Sequence, residues 1–201
     1  MTTRGKVILA LSIVLGLVVV MAMGGLVIWG FFKGAKKGTT VADRRLVITV
    51  QRLRDIGVET PDPECCGHFG AVPNFGSRLV TYTYNTPAGT QPSLYVHSQS
   101  EVMSSVSAMQ SFRISLFALR TSMSAGGNRF EERPSLLTYG DDQYAAIIKN
   151  KAGEEVGNLF AFRKGGFTVM VVMVGVYFDD AERVKELFAP VVATIEERRR
   201  K

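Results

Sequence analysis

The chain has 201 residues, 46% of them hydrophobic, with 24 Lys and Arg against 18 Asp and Glu. That length holds one ordinary domain beyond an apolar leader and is a squeeze for two. Residues 1–54 carry nine Lys/Arg against one acid (Asp43), and residues 198–201 are all basic, so residues 55–197 hold a net charge of −6. The basic pI therefore comes from the two ends, which argues against a nucleic-acid-binding face on the domain itself.

Residues 1–6 form a short polar tail. From Val7 to Phe32 no residue is charged. A helix of that length reaches roughly 39 Å, more than the roughly 30 Å hydrocarbon core of a bilayer, and predicts a single transmembrane helix. A cleavable signal peptide, with Arg4 and Lys6 ahead and a small-residue site at Val20-Met21-Ala22, is the competing reading. The apolar run continues past that site, which favours an uncleaved anchor. Arg4 and Lys6 on one side, and Trp29, Phe31, Phe32, Lys33, Lys36 and Lys37 on the other, fit the two membrane interfaces. Gly24, Gly25 and Gly30 would let another helix approach closely. The Lys/Arg count favours a cytoplasmic C-terminal domain, whereas the short tail, one span and compact domain favour an outward, periplasmic one; the latter is the expectation.

Residues 33–57 read as a basic linker and a juxtamembrane helix over Val41–Gly57, with Leu46, Val50 and Leu53 on one stripe. Residues 58–201 read as the soluble domain. Its opening stretch, Glu59 to Gly76, is rich in Pro and Gly and reads as a structured loop. Strands are predicted at Arg78–Tyr84 and Ser93–Ser98 from their alternation. A helix follows over Ser100–Met123, capped by Ser100, with Val102, Val106, Met109, Phe112 and Leu116 on one face. Further strands are predicted at Leu136–Tyr139, Tyr144–Lys149, Glu155–Arg163 and Phe167–Phe178. The last is apolar on both faces through Val169–Val174 and should be central. A final helix begins at Asp179 with Glu182 in a capping-box arrangement and buries Val184, Leu187, Phe188, Val191, Val192 and Ile195. Pro190 lies inside it.

The expected fold is α+β: an N-terminal transmembrane helix, then a mostly antiparallel sheet of five or six strands with two amphipathic helices packed on one face.

Cys65 and Cys66 are adjacent. They read as buried or free thiols, as a disulfide, or, with His68, as three ligands to a metal, one short of the usual structural zinc set. His97 lies in a predicted strand. Asp141/Asp142 and Asp179/Asp180 are acid pairs in turn and cap positions, which need no catalytic role. No nucleophile-elbow, zincin, phosphate-loop or dinucleotide motif occurs, so neither catalysis nor a cofactor is expected.

The segment Leu137 to Tyr144 (Leu-Thr-Tyr-Gly-Asp-Asp-Gln-Tyr), the stretch Arg163-Lys164-Gly165-Gly166-Phe167-Thr168-Val169 and the closing helix resemble the small bacterial PsbP/Mog1/LpqN-like domains, over about Leu79 to Ile195. The adjacent cysteines depart from that pattern. The resemblance implies a binding or assembly module beside a membrane. The expectation is thus a membrane-anchored, non-catalytic accessory module whose partners are the lipid bilayer and one or more integral membrane proteins, with no nucleic acid and no small-molecule substrate. The alternative is an extracytoplasmic ligand- or metal-sensing domain using Cys65, Cys66 and His68.

Overall fold

The computed structural model describes residues 38–200 apart from 63, 64, 75, 76, 88 and 90–92. Two short helices open it, α1 (Val41–Arg44) and α2 (Val50–Asp55), followed by strands β1 (Gly67–Asn74), β2 (Ser77–Asn85) and β3 (Tyr95–Val102). The long helix α3 (Ser105–Ala125) leads into β4 (Arg129–Glu132), a 3-10 turn (Pro134–Leu136), β5 (Asp142–Lys149), β6 (Glu155–Lys164), β7 (Phe167–Val174) and helix α4 (Ala181–Arg199). The strands make one seven-stranded sheet in the order β1-β2-β3-β7-β6-β5-β4. Every neighbouring pair is antiparallel.

The α+β class stands, but its layout differs from the expectation in three ways. First, the two long helices lie on opposite faces of the sheet. Side chains alternate along a strand, so successive residues of β6 and β7 sort into two cores. Phe160, Phe162, Val169, Val171 and Met173 pack with Val184, Leu187, Phe188 and Ile195 of α4. Leu159, Ala161, Met170 and Val172 pack with Phe112, Leu116 and Leu119 of α3. This is why β7 is apolar on both faces: each face is roofed by its own helix.

Second, the sheet has seven strands rather than five or six. β1 lies in the stretch read as a loop, and β4 carries no alternation over its four residues. Leu136 is in a 3-10 turn and is not part of a strand. Third, the helix expected at Val41–Gly57 is two short helices joined by a largely buried turn at residues 45–49. Leu46 and Ile48 are fully buried, and the Ile48 amide donates to Ser98 Oγ at 2.9 Å, which ties this segment to β3 instead of a helical turn. Thr49 then caps α2 by accepting from the Arg52 amide.

The expectation of a single-pass membrane protein with a membrane-tethered, periplasmic domain is not supported. Among the described residues no helix is long and apolar enough to cross a membrane. The span at 7–32, its interface residues Arg4, Lys6, Trp29, Phe31, Phe32, Lys33, Lys36 and Lys37, and its helix-packing glycines Gly24, Gly25 and Gly30 lie outside the described residues.

Helix α4 buries the six residues its periodicity marks, Val184 to Ile195. At about 1.5–3 kcal/mol per buried large side chain, that stripe contributes on the order of 10 kcal/mol before chain entropy is subtracted. Phe188 meets Phe160 and Phe162 edge-on at 5.6 and 5.7 Å between ring centroids. Its N-cap is Asp180, which accepts from the Glu182 amide at 2.9 Å, one residue later than the expected start. Helix α3 likewise starts late: β3 runs to Val102, and Ser104 rather than Ser100 is the cap.

Two buried features hold β6 in place. A Cβ on Gly157 would lie 1.8 Å from the Met173 carbonyl oxygen, so only glycine allows the strands this close an approach. Asn158 is fully buried and brackets Phe178, donating to its carbonyl at 3.0 Å and accepting from its amide at 2.6 Å. That bracket fixes the chain entering α4.

Candidate functional site

The cysteine loop is built from both sides. The Arg54 guanidinium donates to the Thr60 hydroxyl and to the Thr60 and Pro61 carbonyls, at 3.4, 3.3 and 3.2 Å. From the sheet, the Tyr84 hydroxyl donates to the Asp62 carbonyl at 3.0 Å. Tyr84 is itself fully buried, so it anchors the loop to the core. Cys65 and Cys66 are bonded to each other. Cys65 Sγ lies 3.8 Å from the Tyr84 hydroxyl, and Cys66 rests against the main core. Two sulfurs joined in this way offer no thiolate to a metal. His68 is exposed on β1. Among the described residues no group of three or more His, Cys, Asp or Glu side chains is placed to hold a metal ion.

The other residues singled out in the sequence are spread apart. His97 accepts or donates through Nδ1 to Thr83 Oγ1 at 3.0 Å, and burial pushes its pKa below the usual value. It borders a cavity of about 300 Å3 with Gln99, Ser115 and Met170. Asp141 and Asp142 both engage Arg163, whose Nη1 is 3.1 Å from Asp141 and whose Nε is 2.6 Å from Asp142. Asp141 also accepts from the Gly165 amide at 2.9 Å, so this pair clamps the β6–β7 hairpin. Asp179 is exposed, and Asp180 caps α4.

One acid of the basic N-terminal third is buried. Asp43 accepts from Arg78 Nε at 3.2 Å and from Nη2 at 2.6 Å, and from the Thr40 amide at 2.9 Å. Burial alone would raise its pKa, but the bonds from Arg78 and Thr40 outweigh it and hold the carboxyl at about 2. This pair joins α1 to the start of β2 and explains why Asp43 sits among arginines.

The feature that sequence reasoning missed is the outer face of α3. Ala108 and Phe112 turn inward, while Val106, Ile114 and Phe117 are 68%, 69% and 72% exposed. Val106 belongs to the stripe expected to be buried, but it lies on the opposite side of the helix from Ala108 and Phe112 and faces outward. Three of the five large hydrophobic side chains that stand exposed among the described residues are on this helix. Its charged residues are Arg113 and Arg120. Arg120 stacks over the Tyr144 ring at 4.7 Å and pairs with Glu132 at 3.2 Å, and its presence partly opposes the burial that pushes the Tyr144 hydroxyl up to about 12. Arg113 is exposed and makes no ion pair among the described residues. The signal in the sequence was there: Ile114 and Phe117 fall off the buried stripe, on a 21-residue helix that carries no acid.

No protein-family model, no curated protein and no solved structure matches this chain.

Proposed function

We propose that this protein is a non-catalytic binding module that docks against and stabilises a larger protein assembly through the outer face of α3. The observation that carries the reading is the trio Val106, Ile114 and Phe117, left in water on one side of a helix whose other side is packed. A helix with apolar residues on both sides is built to be covered on both. Covering these three is worth roughly 1.5–3 kcal/mol each before the costs of association. The charge on the helix selects the partner. Arg113, exposed and without an ion pair among the described residues on a helix with no acid, favours a segment whose apolar residues are flanked by carboxylates. The acid pairs Asp141/Asp142 and the cap Asp180 are engaged in structural bonds, which leaves them no part in this reading.

The test is capture of partner proteins by the tagged full-length chain, compared with Ile114→Asp and Phe117→Asp. Both positions are exposed, so the fold tolerates the change, while a new carboxylate in the contact repels the acidic partner. Loss of the captured proteins in both variants, with a Lys185→Asp control on α4 unaffected, is the expected result. Equal capture by all four proteins would overturn the proposal.

A further inference from the structure

An open sheet has two edges, and this one treats them differently. At one edge β4 has four residues, three of them charged: Arg129, Glu131 and Glu132. Short, charged edge strands resist pairing with a further strand. At the other edge β1 runs for eight residues, Gly67 to Asn74, without a single Lys, Arg, Asp or Glu. Its inner side is paired to β2 along its whole length, from Gly67 opposite Tyr84 to Asn74 opposite Ser77. Among the described residues no strand pairs its outer side. Alternate N–H and C=O groups of β1 therefore point outward as a ready template. Only Pro73, close to the strand's end, lacks an N–H to offer.

From this contrast we infer that β1 is a self-association edge, which pairs antiparallel with β1 of a second copy of this chain to continue the sheet across the two molecules. Three observations select a second copy over a foreign strand. An antiparallel pairing of a strand with itself is closed by a two-fold axis, so neither copy leaves a free β1 edge. An uncharged strand meets no like-charge repulsion when its own copy lies opposite, whereas β4 offers only four residues, three of them charged. Finally, residues 38–200 hold 18 Lys/Arg and 18 Asp/Glu. A domain with no net charge does not oppose association with itself. Gly70 and Ala71 at the middle of the strand present no bulk to the incoming backbone.

The test is amide hydrogen exchange of the full-length chain, followed segment by segment in a dilution series. Association obeys mass action, and the monomer fraction of a dimer rises as the square root of the dilution, so over about a hundredfold dilution exchange at residues 67–74 should speed up by as much as about tenfold. Exchange at β4 (129–132) and at the outer face of α3 should not change. A lysine on an edge strand resists pairing because its ammonium must give up water against the uncharged strand opposite, so His68→Lys and Val72→Lys should each remove the dilution effect while protection in β6 and β7 is kept. Exchange at 67–74 that is independent of concentration in the unsubstituted chain overturns the inference without need of any variant. A dilution effect confined to other segments also overturns it, and would leave the α3 reading to its own test.

Discussion

The pairing of buried Asp43 with the partly exposed Arg78 gives the sharpest energetic prediction. Asp43→Ala removes a two-pronged charge-assisted contact at 2.6 and 3.2 Å and the bond from the Thr40 amide that helps cap α1. Breaking a fully buried pair costs about 3–5 kcal/mol. Here the Arg78 side chain is 38% exposed while that of Asp43 is 5% exposed, so water can take up the orphaned guanidinium. The cost is therefore set nearer to one charged hydrogen-bond pair plus part of a cap, about 2–3 kcal/mol. At about 2–4 °C per kcal/mol for a chain of this size, the midpoint of thermal unfolding should fall by about 5–10 °C. Arg78→Ala and the double variant complete a cycle, whose coupling energy should be about 1.5 kcal/mol or more. The sign of the pH effect follows from the lowered carboxyl. Its ordinary value is 3.8 and its folded value about 2. The coupling is fully present above the ordinary value and fades as pH drops from there toward the folded one. Circular-dichroism melts across that range read the effect. Additive single substitutions, within about 0.5 kcal/mol at neutral pH, would refute the role given to the pair.

Gly157→Ala forces a methyl against the Met173 carbonyl at 1.8 Å, between two central strands that cannot part without opening both cores; denaturant melts should show a loss of about 3 kcal/mol or no fold at all, and a loss under about 1 kcal/mol would mean the strands sit further apart. The buried Tyr144 hydroxyl has only the Glu132 carboxylate near it as an acceptor, and not in good hydrogen-bond geometry, so Tyr144→Phe should change stability by less than about 1 kcal/mol, and a clear destabilisation would show that Glu132 holds it in a full hydrogen bond. With Cys65 and Cys66 bonded to each other, a thiol reagent should label the unfolded, unreduced chain at neither residue and label both after reduction; labelling before reduction would contradict the closed pair.

Much of the fold was legible because burial leaves a period in the sequence. The α4 stripe, from Val184 to Ile195, is a 3.6-residue pattern and was read residue for residue. The central place of β7 followed from a run that is apolar on both faces. A strand apolar on both sides needs a roof on both sides, which puts the two long helices on opposite faces. Periodicity marks which face of a helix is apolar, and not which side of the sheet receives it. β1 was illegible for a different reason. Gly67, Gly70 and Pro73 are loop residues by propensity, and pairing with β2 along the full strand overrides them. The short β4, dominated by charge, gave no alternation at all. In α1 and α2 the apolar residues fitted both a helix and a strand, and the Ser98 hydroxyl, fifty residues away, decided between them.

The candidate surface was less legible than the fold. The residues that drew attention by type (Cys65, Cys66, His68, His97 and the aspartate pairs) are scattered over the molecule, and the structure spends most of them on local bonds. The α3 face draws on residues that are unremarkable one by one. Only when Phe112 is seen to turn inward do Ile114 and Phe117 become visible as apolar side chains without a core.

The most direct measurement of the central claim is site-specific photocrosslinking in the cell of origin, with a photoreactive side chain placed at Ile114 or Phe117 on α3 and, as reference, at Lys185 on α4. If α3 is the docking face, positions 114 and 117 each give the same discrete adduct, and the partner's crosslinked peptide carries carboxylates beside apolar residues. Position 185 gives no such adduct. Adducts of equal yield from all three positions, or none from α3, would contradict the account.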